Sequence, residues 1–180
     1  MVPDSGLIRQ LKDQDTREKA FRELISQYKE RLYWHIRRMV INHDDTDDVL
    51  QNTFIKIYRN IDSFKGESSL FSWIYRIAIN ESITFLNARA KRKGIGDSEL
   101  RENLVKNLRA DTYFDGDEIQ LKLQRAVATL PEKQKLVFNM KYFEALTYEE
   151  ISEILDTSVG ALKASYHHAV KKIEQFLTTD

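Results

Sequence analysis

Cysteine is absent from the 180 residues, which excludes a disulfide framework, a thiol nucleophile and a thiolate metal site, and gives no support to export for oxidative folding. No window approaches the apolar length that spans a bilayer, so a membrane protein is excluded on the same grounds. The opening residues Met1-Val2-Pro3-Asp4-Ser5-Gly6 lack the basic stretch and apolar run of an export signal, and a cytoplasmic location is expected. Net charge is also missing, since 28 Lys and Arg balance 28 Asp and Glu. That balance is uneven along the chain: 17 basic against 13 acidic residues up to Lys93, 3 against 7 from Gly94 to Glu118, and 8 against 8 thereafter. Neutrality therefore does not exclude a nucleic-acid partner, because it sums unlike segments.

What is present is helix. Strand alternation is almost absent, and apolar residues recur at spacings of three and four with charged residues between them. Ala20 to Val40 carries Phe21, Leu24, Ile25, Tyr28, Leu32 and Ile36 on one stripe, and Asn42 to Asp45 breaks the pattern. A helix from Asp47 to Ile61 is expected to bury Leu50, Phe54, Ile57 and Ile61, with acidic residues where the helix dipole favours them. Ser63 to Ser69 reads as a loop, and a long helix from about Leu70 to Arg92 ends at Gly94-Ile95-Gly96. Gly94 to Glu118 is acidic and weakly periodic, a linker with transient helix around Leu100 to Leu108. Helices resume with the stripe Ile119, Leu123, Val127 and Leu130, then, after Pro131, with Leu136, Val137, Met140 and Phe143. The expected fold is all-α, two small helical domains at residues 1–93 and 119–180 joined by an acidic linker at 94–118.

Thr147-Tyr148-Glu149-Glu150 has the form of a capping box, so a short helix starts there with Ile151, Ile154 and Leu155 on its apolar face. Asp156 to Ser158 has the length of the turn in a helix-turn-helix. In the second helix Leu162, Tyr166, Ala169 and Ile173 are spaced for the core. Ser158, Val159, Gly160, Lys163, Ala164 and His167, followed by Lys171, lie on the side that is small at first and basic further on, which suits a major groove. A solvated helical hairpin is the plainer alternative.

In the long helix, Trp73, Arg76, Asn80, Thr84, Asn87 and Lys91 follow at spacings of three, four, four, three and four and share one face. An aromatic plane, amides, a hydroxyl and cations on one stripe, running into Arg89, Lys91, Arg92 and Lys93, can stack unpaired bases and hold a strand. The alternative is a partly buried Trp73 above a solvated face. On the preceding helix Asp48, Gln51, Asn52 and Ile55 lie away from the core stripe, and isoleucine among an acid and amides suits a protein interface. Asp44, Asp45, Asp47 and Asp48 lack the glycine and distal glutamate of a calcium loop, and His35, His43, His167 and His168 have no zinc spacing. Without a phosphate-cradling glycine loop or a nucleophile motif, neither cofactor nor catalysis is expected.

Taken together these motifs resemble the extracytoplasmic-function (ECF) sigma factors of bacterial RNA polymerase over nearly the whole chain. Asp47-Asp48-Val49-Leu50-Gln51-Asn52-Thr53-Phe54 is similar to the family's polymerase-binding helix, and Phe64 to Ala78, with Ser68, Ser69 and Trp73 inside it, is similar to its minus-ten segment. Leu130-Pro131 and Tyr148-Glu149-Glu150-Ile151 match its second domain, and Val159 to Ser165 resembles its minus-thirty-five recognition helix. The likeness departs at Ser165 and His168, where the family often has arginine, at Asp156, where glycine is common, and at Thr84, where aspartate is. The resemblance implies a non-enzymatic factor that binds core RNA polymerase and promoter DNA, opens the DNA, and is regulated by an anti-sigma factor. A helix-turn-helix regulator acting without polymerase, or a helical adaptor that binds only proteins, are the rival readings.

The resemblance also sets a distance. Promoter elements one and a half to two helical turns apart are separated by about 50–70 Å, and Gly94 to Glu118 extends to about 80 Å at most, against ~27 Å for a relaxed coil. Deleting about ten linker residues shortens the reach to ~50 Å. Such a deletion is expected to leave both halves folded and polymerase bound but to abolish transcription from promoters that need both elements. Initiation at the normal rate on those promoters would contradict the assignment of the linker.

Overall fold

The computed structural model describes residues 5–109 and 118–179; the linker acids Asp111, Asp115 and Asp117 lie outside the described residues. Among the described residues the chain is helical throughout, without a strand. The helices are α1 (Ser5–Lys12), α2 (Arg17–Val40), α3 (His43–Asn60), α4 (Leu70–Lys93), α5 (Asp97–Arg109), α6 (Glu118–Thr129), α7 (Glu132–Phe138), α8 (Tyr148–Leu155) and α9 (Val159–Thr179). A 3-10 turn, Ile61–Ser63, follows α3, and a π-turn, Asn139–Phe143, continues α7.

The first group packs α2, α3 and α4 around Leu24, Leu32, Ile36, Ile57 and Ile74, none of which retains any exposure. Each fully covered aliphatic side chain stabilises by roughly 1.5–3 kcal/mol. Helix α3 starts at His43, earlier than the apolar pattern predicts, because the Asn42 side chain accepts a hydrogen bond from the Asp45 amide at 2.9 Å and caps the helix. Helix α4 is capped by Ser69, whose Oγ accepts from the Ser72 amide at 3.1 Å. It ends at Gly94, φ +64°, where the Gly94 and Ile95 amides close onto Lys91 and Ala90 carbonyls. Lys12 donates to the Phe64 carbonyl at 2.6 Å, tying α1 to the loop before α4.

Residues of the linker form a helix where the sequence pattern predicts only transient structure. Leu104 and Leu108 of α5 are buried with Ile41, Leu86 of α4 and Ala128 of α6. Tertiary cover supplies what the weak periodicity and acidic composition do not. Ile41, at the α2–α3 corner, has φ +72°, a conformation that β-branched residues rarely adopt. Its side chain, 3% exposed, is the part of that corner which reaches the α5 cluster.

The second group closes Ala126, Val127 and Leu130 of α6 and its end against Phe138, Ala169 and Ile173. It does not stand apart from the first. Leu136, Met140, Leu146, Ile151, Ile154 and Leu162 join the same apolar cluster as α2–α4, so the core runs on across the seam. The seam holds a buried pair: His35 Nδ1 lies 2.7 Å from Glu144 Oε1, with side chains 0% and 7% exposed. Burial alone would raise the Glu144 carboxyl, but the attraction and hydrogen bond of His35, joined by Tyr75 and Arg38, together hold the group below the usual carboxylate range. Burial, and then the Glu144 charge, push the nearby Tyr75 hydroxyl well above its ordinary value. Arg38 sits over the Phe143 ring at 4.8 Å and adds a cation–π contact across the same seam.

Two outcomes follow from this packing. Ile41→Gly relieves the left-handed strain but empties a buried site, and since burial is the larger effect it should destabilise the chain by roughly 1–4 kcal/mol in denaturant unfolding; a stabilised variant would reverse that ranking. Glu144 carries a lowered folded-state value, so its contribution is present above the usual carboxylate range and disappears as pH falls through that lowered value. Glu144→Gln should be about 1–3 kcal/mol less stable at neutral pH and should lose less of its melting temperature on acidification. An unchanged acid slope would show that this carboxyl does not carry the loss.

Candidate nucleic-acid and protein interfaces

Helices α8 and α9 form the helix-turn-helix that the spacing predicts. Thr147 Oγ1 accepts from the Glu150 amide at 3.2 Å and Glu150 Oε2 accepts from the Thr147 amide at 2.8 Å, the reciprocal capping box. Asp156 ends α8 at φ +49°, a left-handed position that aspartate tolerates better than most side chains. Ser158 Oγ accepts from the Ala161 amide at 3.3 Å and starts α9. Leu162, Ala169 and Ile173 face inward with Tyr166 half-buried beside them, while Ser158, Gly160, Lys163, Ala164, His167 and Lys171 are exposed and Val159 is partly covered. A Cβ at Gly160 would meet nothing within 4 Å, so no packing inside the chain demands glycine there. The outer face of α9 is slim at its start and cationic beyond it.

On α4 the stripe divides. Asn80, Thr84, Asn87 and Lys91 are exposed, Trp73 is half-buried with its ring 5.3 Å from that of Phe64, and Ser68 is partly covered. Ser69 and Arg76 meet α8. Glu153 Oε1 accepts from the Ser69 amide at 2.7 Å, and Oε2 accepts from Ser72 Oγ at 2.7 Å and lies 3.2 Å from Ser69 Oγ. Arg76 Nη2 donates to the Glu153 carbonyl at 2.7 Å. The Ser72 hydroxyl first, then the Ser69 amide, hold the Glu153 carboxyl below its ordinary range, with Arg76 adding to them. Nothing in the sequence singles out Glu153, which has the look of an ordinary solvated acid on a short helix. Further along α4, Arg89 pairs with Asp45 of α3 and so is not part of a free basic cluster.

Helix α3 presents Asp48, Gln51 and Asn52 to solvent together with Ile55, 42% exposed. Beside them lies an apolar groove lined by Phe21 and Ile25 of α2 and Phe54, Ile55 and Tyr58 of α3, with Gln51 and Arg59 at its edge. Phe21 and Ile25 lie on the apolar stripe of α2; both are only half-buried, because α3 covers one side of that stripe and leaves the other as the groove wall. Phe21 packs edge-on to Tyr58 at 4.9 Å, and Tyr58, 38% exposed, extends the surface beyond the residues that sequence spacing identifies. Among the described residues there is no group of acidic, histidine or cysteine side chains able to hold a metal ion, and no helix is long and apolar enough to cross a membrane.

The family profile for Sigma-70 region 2 matches residues 24–92, and that for Sigma-70 region 4 matches residues 120–173. The chain is 34% identical to the ECF RNA polymerase sigma-E factor of Haemophilus influenzae, over 96% of this chain and 94% of that protein. It is 29% identical to the factor of the same name from Escherichia coli K12, over 96% and 93%. The fold is similar to that of CnrH in complex with the cytosolic domain of CnrY, with a TM-score of 0.71, 20% identity and coverage of 99% of both chains. It is also similar to that of the sigma factor RpoE in complex with the anti-sigma factor NepR from Bartonella quintana, with a TM-score of 0.67, 19% identity and coverage of 90% and 99%. Sigma factors are regulatory subunits and not catalysts, and this chain belongs to the ECF sigma factors of RNA polymerase, acting in promoter recognition and the initiation of transcription.

Proposed function

We propose that three surfaces of the chain divide this work. Asp48, Gln51, Asn52 and Ile55, continued by Tyr58, bind core RNA polymerase. Ser158, Val159, Gly160, Lys163, Ala164, His167 and Lys171 meet the minus-thirty-five element in the major groove. Ser68, Ser69, Trp73, Arg76, Asn80, Thr84, Asn87 and Lys91 take the minus-ten strand as it opens. Residues 1–93 act as the region 2 domain, 119–180 as the region 4 domain and 94–118 as the linker between them. The polymerase performs the chemistry, and the chain is itself no enzyme and works in the cytoplasm.

The apolar groove on α3 carries this reading. A regulator that bound duplex DNA alone would need the α9 face but not a second surface in which Ile55 and Tyr58 stand exposed beside a cleft of phenylalanines. An adaptor that bound only proteins would not need the slim, cationic face of α9, whose phosphate contacts weaken steeply as salt rises. Both similar structures are complexes with a partner chain, and one partner is named as an anti-sigma factor. We extend that class of partner to this chain.

Run-off transcription with purified core polymerase on a promoter library should depend on adding the chain. Gln51→Glu with Ile55→Glu places uncompensated charge in the polymerase contact, which costs several kcal/mol, and should abolish both pull-down of core enzyme and run-off product while the α9 face keeps its affinity for duplex DNA. Pull-down that survives both changes would remove α3 from the interface.

A further inference from the structure

We propose that the chain carries a small-molecule site, an adenine-nucleotide pocket between α2, α6 and the π-turn, formed by residues that none of the three surfaces above employs. A cavity of about 340 Å³ lies there, at the small end of the range of small-molecule sites. Trp34 and Arg38 of α2 line it, with Gln120 and Gln124 of α6 and Tyr142 and Phe143 of the π-turn. A nucleotide asks for three kinds of contact: aromatic faces for the flat base, paired donors and acceptors for its edge, and a cation for the phosphate. The cavity supplies all three.

Tyr142 is 55% exposed, although its ring stacks on that of Phe138 at 5.1 Å. A ring left this open, beside the half-buried Trp34, offers a base planar surface from two different elements. Gln120 and Gln124 stand one turn apart and share a face of α6, so both reach the cavity. A glutamine amide matches adenine, accepting from its exocyclic amine while donating to N7, whereas guanine presents acceptors at both positions. The cation is Arg38. It rests on the Phe143 ring at 4.8 Å and beside the charge of Glu144, which His35 Nδ1 already engages at 2.7 Å. Burial holds the guanidinium below its ordinary value. Neither contact is a hydrogen bond, so a guanidinium drawn partly out of water still has N–H groups to satisfy, and a phosphate accepts two of them at once. Rings, amides and one cation fit an anionic heterocycle, where an acyl chain would call for aliphatic walls.

The chain has two tryptophans, so Trp73→Phe leaves Trp34 as the sole fluorescent reporter at the pocket. AMP titrated into that full chain should quench it saturably, and calorimetry on the unmodified chain should give one site. The melting temperature should rise with AMP, as for any ligand of the folded state alone. Adenosine and ribose 5-phosphate should each bind roughly tenfold more weakly or worse, since one forfeits the phosphate hold and the other the stack. GMP should fall behind AMP because the amide no longer matches its edge. Tyr142→Ala, at an exposed ring, and Arg38→Lys, which keeps the charge but loses the fork, should each weaken AMP roughly tenfold. Gln124→Glu turns the amide donor into an acceptor and sets a negative charge near the phosphate, a loss that does not depend on the packing of α2. Glu149→Ala, outside the cavity, should bind AMP as the parent does. No saturable signal by ~5 mM AMP, where a site of millimolar Kd would be mostly filled, overturns the proposal. So does AMP affinity that survives both Tyr142→Ala and Gln124→Glu within about twofold, or ribose 5-phosphate binding as tightly as AMP. An oligo-dA strand that displaces AMP and binds more tightly would assign the pocket to a strand and overturn it as well.

Discussion

A carboxylate that keeps 7% of its side-chain exposure cannot be solvated by water, and the position of Glu144 is therefore a demand on the rest of the molecule. His35, fully covered on α2, answers it. Because Glu144 closes the π-turn and His35 lies deep in the first helical group, this pair ties the second group to the first. The seam it closes is shared with the continuous apolar cluster that runs from Leu24 and Ile74 to Ile154 and Leu162, and with the contacts of Glu153 that seat α8 on α4. Replacing the pair by apolar side chains could preserve or even raise stability, but it would remove the directional constraint that sets the angle of the seam.

The working surfaces are placed by local rules inside that frame. Side-chain caps at Asn42, Ser69 and Thr147 decide where α3, α4 and α8 begin, and the 3.6-residue period then decides which residues each helix turns outward. The outer face of α9 is available because Leu162, Ala169 and Ile173 consume the inner one. On α3 the division is less complete: Phe21, Ile25 and Tyr58 are neither core nor surface, and their partial cover forms the groove.

Much of this was legible in the sequence. The all-helical fold, the Gly94 stop, the capping box and the exposed side of α9 follow from periodicity and capping chemistry, which act over a few residues. The boundary of α3 was missed because the apolar pattern starts later than the Asn42 cap. The stripe beginning at Ile119 overstates burial, since Ile119 is 74% exposed and cover begins further along α6. Phe21 and Ile25 share the apolar stripe of α2 and are yet half-buried for the same reason: periodicity reports which face is apolar, not how much of that face a neighbour covers. Glu144 and Glu153 were invisible, because their roles depend on residues 109 and 84 positions away. A lone glutamate on a short helix carries no local mark of such a contact.

Helix α5 gives the linker a property that neither a coil nor a rigid rod would have. Its 13 residues store chain at about 1.5 Å each, against ~3.3 Å when extended, so unwinding would release roughly 23 Å of tether. A helix of this length is marginal in water unless something covers it, and the cover here is Ile41, Leu86 and Ala128, side chains drawn from both halves of the molecule. Parting the halves removes that cover. The spare length is thus locked away while the molecule is compact and paid out by the same separation that requires it, so the tether slackens at the moment when a spool of fixed length would go taut.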